Sequence, residues 1–281
     1  FADYRSTRYK VQNALEHGAI GVLIMNEINR PFDLLIKSLG RMLSKPVYRL
    51  QEKDSKESIP FAYISKKLSD IILKKSGLKT DAIKDSIDNN YKSLSFEIPN
   101  TTIKLKHGIE RNIEETENVV GLLEGSDKKL KDEYIIVSGH YDHEGIINGN
   151  IYNGADDNAS GTTCVLNIAK ILSKLKPKRS ILFIAFTGEE KGLFGSTYYA
   201  ENPLIDFNKT VAAINIDMVG RKDEKYENSD TTLYIYAIGP KIMGGNFPSI
   251  LESAKKINNM YIDYEFDTLN DMNMFYSRSD H

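Results

Sequence analysis

The chain has 281 residues, of which 41% are hydrophobic and 27% charged. That length favours two domains or one large domain with an insertion, and the composition supplies a sizeable core and argues against general disorder. Thirty-seven Lys and Arg stand against 39 Asp and Glu, a net charge of −2. This balance excludes the basic footprint of a nucleic-acid binder and the polybasic stretch that seeks a membrane surface, and no apolar run approaches the ~18 residues of a membrane span.

The single cysteine, Cys164, excludes an internal disulfide framework and leaves the compartment open. The chain opens at Phe1, with neither an initiator Met nor a charged-then-apolar leader, and stops at His281 directly after Ser-Arg-Ser-Asp. It reads as a fragment or a processed chain, so the lack of a leader does not argue for the cytoplasm. Over residues 10–25, KVQNALEHGAIGVLIM, Val11, Ala14 and Leu15 recur at helical spacing, Gly18 stops the helix, and the run from Ile20 to Met25 reads as a strand. Residues 49–58 are polar and read as a loop, and 59–64, IPFAYI, as a second strand. Ser65 is placed to cap a helix whose Leu68, Ile71 and Ile72 line one face and which Gly77 ends. Residues 80–92, TDAIKDSIDNNYK, are weakly patterned, which puts a domain boundary near residue 85.

Beyond that boundary strands alternate with helices. A strand at 134–138 leads into a long Gly/Asn/Asp-rich loop, and a helix over 161–175 is expected to bury Val165, Ile168, Ala169, Leu172 and Leu175. Further strands follow at 181–186, 211–216 and 233–238. Buried apolar strands separated by helices predict an α/β domain with a mixed, mostly parallel central sheet flanked by helices on both faces.

Each strand runs into side chains able to hold a metal: YIIVSG into His140, Tyr141 and Asp142; ILFIAFTG into Glu189 and Glu190; VAAINI into Asp217. In open α/β sheets ligands bind outside the carboxyl ends of the strands, so these groups converge on one edge. The loop before the next helix adds Asp156 and Asp157, and the chain ends on Ser279, Asp280 and His281. Singly, each residue has an ordinary reading as a helix cap, a turn or a solvated charge. Together the carboxylates would repel one another and raise their own pKa values unless cations sat among them. If Asp157, Glu190 and Asp217 ligate as anions with neutral His140 and His281, they supply about −3 against about +4 for two zinc ions, and a bridging hydroxide completes neutrality. Adjacent Glu189 and Glu190 cannot both point at one ion, so one ligates and the other serves as a base. Asp142 is placed to orient the His140 imidazole from behind.

These residues resemble the co-catalytic di-zinc aminopeptidase family that includes bacterial secreted leucyl aminopeptidases and, more distantly, glutamate carboxypeptidase and the transferrin receptor ectodomain. The resemblance covers residues 95–281 and rests on GHYDH (139–143), NGADDNASG (153–161), FTGEEKGLFGS (186–196), NIDMVG (215–220) and SDH (279–281), in the family's order. It implies two co-catalytic zinc ions bridged by Asp157, with His140 and Asp217 completing one and Glu190 and His281 the other. Glu189 is then the general base and Asp142 the support of His140. Tyr276, close to His281, is the candidate among 16 tyrosines for polarising the substrate carbonyl.

The implied protein is an exported or periplasmic exopeptidase, an aminopeptidase acting on peptides. A carboxypeptidase or dipeptidase of the same family is the alternative, since metal motifs do not choose the end of the peptide. A glutaminyl cyclase shares the fold but uses one zinc, and a receptor-like ectodomain would have lost ligands or the base, all of which are present. RYKVQNALEHGAIGVLIMN and IPFAYISKK look like a protease-associated domain. Residues 1–85 are therefore expected to form such a domain, incomplete at its N-terminus, and 86–281 a zinc peptidase domain truncated at its C-terminus. His17 and His107 read as surface residues, His143 as lying outside the ligand set, and Cys164 as a small core residue with no base nearby to activate it.

Overall fold

In the computed structural model, which describes residues 6–25, 32–43, 46–51, 58–106, 108, 110–228 and 233–281, the first helix α1 spans Thr7–Glu16. Ser6 begins it by accepting a hydrogen bond from the Tyr9 N–H, and Gly18 follows it at φ +82°. Strand β1 (Val22–Ile24), helix α2 (Phe32–Leu43) and strand β2 (Phe61–Tyr63) come next, with β1 and β2 paired in parallel. Helix α3 (Lys66–Leu73) is capped by Ser65, which accepts from the Leu68 N–H, and a short 3-10 turn then ends at Gly77 in the left-handed region.

The polar stretch after Gly77 is helix α4 (Thr80–Asn90), so the boundary expected near residue 85 falls inside a helix. The Asp70 carboxylate explains why: it accepts from both the backbone N–H and the hydroxyl of Thr80, at 2.9 and 2.7 Å, and so ties the start of α4 to α3. The chain divides into two compact units later, as Phe1–Val47 with Gln51–Ile113 and Tyr48–Leu50 with Glu114–His281. His107 and part of the loop at 49–58 lie outside the described residues.

The second unit contains β3 (Val119–Leu123), β4 (Tyr134–His140), β5 (Gly145–Ile147), β6 (Asn150–Tyr152), α5 (Ala159–Leu172) and β7 (Ser180–Phe186). After them come α6 (Phe194–Glu201), β8 (Thr210–Asn215), β9 (Tyr234–Tyr236), α7 (Pro240–Met243), α8 (Phe247–Asn258) and β10 (Tyr261–Asp263). The main sheet has the order β3-β7-β4-β8; β7, β4 and β8 run parallel and β3 is an antiparallel edge. It is a mixed α/β architecture. Strand β9 pairs with β10 in a separate two-stranded sheet, and β5 with β6 forms a hairpin.

Alternation along the strands divides the core. Ile136, Leu182, Ile184 and Phe186 pack with Tyr199 of α6, whereas Val137, Ile181 and Phe183 pack with Val165 of α5. Successive strand residues point to opposite faces, so α6 and α5 cover the two sides of the sheet. Ile168, Ala169 and Leu172 join the α5 side as predicted. Leu175 does not, because α5 stops at Leu172 and leaves it exposed. Parallel pairing puts His140 beside Phe186 and Ser138 beside Asn215, so the loops leaving β4, β7 and β8 emerge at one edge. Among the described residues no helix is long and apolar enough to cross a membrane.

Candidate metal centre

His140 ends β4 and is fully buried. Its Nδ1 lies 3.1 Å from the backbone carbonyl of Asp142, a bond that makes Nδ1 the donor and leaves Nε2 as a bare lone pair in the neutral ring. That Nε2 sits 3.2 Å from Asp157 Oδ1, 3.5 Å from Asp217 Oδ1 and 4.0 Å from Glu189 Oε2. His140 Nε2 and Asp217 Oδ1 are buried and have no hydrogen-bond partner. The other oxygen of Asp217 is held by the Ser279 hydroxyl at 2.7 Å.

The turn after β7 carries the two glutamates. The Asp142 carboxylate accepts from the backbone N–H groups of Glu189 and Glu190 at 3.1 and 3.3 Å, so it fixes the main chain of both. Asp142 thus meets His140 Nδ1 with its carbonyl, while its carboxylate accepts from these two N–H donors and keeps Oδ1 3.7 Å from the same ring nitrogen.

His143, expected outside the ligand set, is brought in. Its Nδ1 approaches Glu190 Oε1 to 2.6 Å; both atoms are buried, and neither has a hydrogen bond of acceptable geometry. Room for the ring comes from Gly154, at φ +67°, where an added Cβ would lie 2.6 Å from His143 Cβ and 2.7 Å from its Cγ. Two groups of donors result, His140 with Glu189 and Asp217, and His143 with Asp157 and Glu190; within each, the donor atoms lie within 4.8 Å of one another. Buried imidazole nitrogens and carboxylate oxygens that face each other unpaired suit a zinc-like cation better than magnesium or calcium.

His281 is exposed and stands in neither of these two groups. The segment before it is anchored through Ser279 to Asp217 and through Asp280 to the Ser196 hydroxyl, and His281 is close enough to Asp217 to help hold that carboxyl down. The Tyr276 hydroxyl donates to the buried carboxylate of Asp267. The spacing of the GHYDH motif on a loop does not fix which way its second imidazole points, and only the structure places it against Glu190.

Crowding shows in the electrostatics. Burial, then Asp280, Asp217 and Glu190, push the Glu189 carboxyl up to about 7, against the pull of His140. Burial and neighbouring carboxylates also raise Asp157 and Glu190, and burial raises Asp280. Burial alone would lower the His140 imidazole, yet Asp142, Asp217 and Glu189 hold it up at about 11. Asp142 and Asp217 go the other way: burial would raise them, but hydrogen-bond donors and His140 hold them below the usual carboxylate range. Each direction follows from how many carboxylates share the space and which of them have donors.

Peptidase family M28 matches residues 118–281, more than half of the chain, and the chain belongs to that family. A probable zinc metalloprotease of Pyrenophora tritici-repentis is 30% identical over 155 residues, which cover 54% of this chain and 31% of that protein. Aminopeptidase YwaD of Bacillus subtilis is 33% identical over 125 residues, 44% of this chain and 26% of its own length. The solved structure of BSAP, a zinc aminopeptidase from Bacillus subtilis, aligns with a TM-score of 0.39 at 27% identity, covering 52% of this chain and 33% of that one. The matched stretch therefore spans about a third or less of these relatives.

Proposed function

We propose that this chain carries the catalytic residues of a di-zinc aminopeptidase that removes N-terminal residues from peptides. The observation that carries the reading is the pair of donor groups whose buried atoms, His140 Nε2 with Asp217 Oδ1 and His143 Nδ1 with Glu190 Oε1, face each other without hydrogen bonds. Membership of M28 and the descriptions of the relatives, a zinc metalloprotease and an aminopeptidase, support zinc and a peptide substrate. His140 and Asp217 would hold one ion and Glu190 the other, with Asp157, 3.2 Å from His140 Nε2, between them. Two imidazoles are available to the second position: His281, which the family resemblance implies, and His143, which lies against Glu190.

Bound zinc would supply positive charge that makes water nucleophilic near neutral pH and polarises a carbonyl. Glu189 is the base in this reading. Its carboxylate, held beside His140 and Asp217, takes the proton of the attacking water and returns it to the leaving amine. Asp142 holds the Glu189 main chain in place for both transfers, and the Asp142 carbonyl fixes the His140 tautomer.

The first unit, with its parallel β1–β2 pair and the helices α1 and α3, we read as a protease-associated domain that shapes access for peptides. Resemblance to secreted aminopeptidases supports a place of action outside the cytoplasm. The test is elemental analysis together with a panel of N-terminally free and blocked peptides. Two zinc ions per chain, turnover of free amino termini only, and a loss of about 10²-fold or more in Glu189→Gln are expected. Cleavage of blocked peptides would overturn the aminopeptidase assignment, and a folded protein with neither metal nor turnover would overturn the enzyme reading.

A further inference from the structure

We infer that Asn158 is a positioning residue for Asp217: its side chain clamps the backbone on both sides of that carboxylate and sets where it stands against Asp157 and His140. The inference rests on the di-zinc reading above. Asn158 directly follows Asp157 and is 1% exposed. Its Nδ2 donates to the Ile216 carbonyl at 3.0 Å, and its Oδ1 accepts from the Met218 N–H at 3.2 Å, one residue to either side of Asp217. The same Oδ1 accepts from the Gly161 N–H at 3.0 Å and so caps α5. One amide therefore joins the start of α5, the Asp157 peptide and the Asp217 segment. Helix capping accounts for the bond from Gly161 and leaves the donation to Ile216 unexplained.

The surroundings are shaped around this amide. A Cβ on Gly161 would lie 2.2 Å from both Asn158 Oδ1 and the Ile216 carbonyl oxygen; one on Gly139 would lie 2.9 Å from that oxygen and 3.5 Å from Asn158 Nδ2. Neither position has room for a side chain while the clamp is closed. Met218 adopts φ +52°, a left-handed conformation that a residue with a Cβ holds only where its surroundings over-determine it. Three successive N–H groups supply that constraint: Met218 to Asn158, Val219 to the Ser160 hydroxyl at 3.0 Å, and Gly220 to Asp156 Oδ1 at 2.7 Å. All three acceptors sit within three residues of Asp157. Without the clamp, relaxation of Met218 would carry the adjacent Asp217 carboxylate away from its 3.5 Å approach to His140.

The test separates the clamp from the cap. Asn158→Ser keeps a side chain that caps helices well but is too short to reach residues 216 and 218. We measure metal affinity of the whole protein by chelator competition, the visible absorption of the cobalt-substituted form, and the melting temperature of the metal-free form. The clamp predicts a lowered but still cooperative melting transition, a loss of about 10- to 100-fold in affinity for one of two metals, and an altered cobalt spectrum. Two metals held with parental affinity and an unchanged spectrum would overturn the inference and leave Asn158 as a helix cap. Should the serine variant not fold, Asn158→Asp is read in the same way, since it keeps both acceptor bonds and loses the donation to Ile216. If the parent protein itself takes up no metal, the di-zinc reading has failed instead.

Discussion

Replacing Glu189 by Gln should cut turnover about 10²-fold or more and, in the metal-free protein, make the fold more stable. The carboxyl lies among Asp280, Asp217 and Glu190, and its side chain is only 11% exposed. Raising a carboxyl from its ordinary 4.5 to about 7 corresponds to about 3 kcal/mol against the folded state at neutral pH, and screening by solvent trims this to about 1–2 kcal/mol. The sign follows from linkage. A carboxyl whose pKa is raised on folding carries no penalty below its unfolded value, about 4.5; the penalty grows as pH rises and is full above about 7. Asp157, Glu190 and Asp280, raised for the same reason, act in the same direction. Chelated parent protein should therefore lose stability between about pH 5 and 7.5, and the Gln variant should lose less of it. For a unit of this size the gain at pH 7.5 amounts to roughly 3–6 °C in melting temperature by calorimetry. A Gln variant no more stable than the parent at pH 7.5, or one whose advantage is as large at pH 4, would refute the crowding argument.

Gly154→Ala should drive His143 from Glu190, because the new Cβ would meet the imidazole at 2.6 Å on a backbone at φ +67°. Urea unfolding should show a loss of about 1–3 kcal/mol, and chelator competition a weaker hold on one of two metals. His143→Ala should lower the affinity for that metal about 10-fold by freeing the Glu190 carboxylate, while leaving the melting temperature of the metal-free protein little changed. In the first unit, the two bonds from Thr80 hold Asp70 down at about 2. A depressed carboxyl stabilises above its unfolded value near 3.8 and loses that contribution as pH falls towards 2. Asp70→Asn should therefore weaken the α3–α4 pair at pH 6 and make no difference at pH 2, as followed by circular dichroism.

The strands that build the site were legible because they are apolar runs of strand length, whether largely buried, as β4 and β7 are, or at a sheet edge, as β8 is. Residues 134–138, 181–186 and 211–216 are apolar runs, and in the structure they are the three adjacent parallel strands β4, β7 and β8. Strand β3 was not legible: as an edge whose Val119 and Leu122 remain exposed, it lacks the alternation that marks a buried face. Helix α4 was hidden by its polarity, since a side-chain tie from Asp70 anchors its start and hydrophobic periodicity carries little of the signal. His140, Glu189, Glu190 and Asp217 follow strands β4, β7 and β8 and Asp157 the turn before α5, which is why the structure gathers them at one sheet edge. Loop residues are aimed by contacts distant in sequence, which is why His143 turned inward against Gly154 and Tyr276 bound Asp267.

The acids of the centre fall into two kinds. Asp142 spends its carboxylate on two N–H groups of the glutamate turn, Asp156 on Gly220 and Arg221, and Asp217 one oxygen on Ser279. These carboxylates hold loops together, and where the pKa of Asp142 and Asp217 shifts it goes down. Glu189, Glu190 and Asp157 have no such set of donors, and theirs go up. A chain that needed negative charge only as scaffolding would satisfy every carboxylate in this way, because each unpaired one weakens the fold. Donors are instead withheld from carboxylate oxygens that face the His140 and His143 ring nitrogens, so the local cost is concentrated where a cation would reverse it. Asp217 belongs to both kinds, with Oδ2 fixed by Ser279 and Oδ1 left bare. For that reason the backbone on either side of it is the part of the centre whose placement matters most.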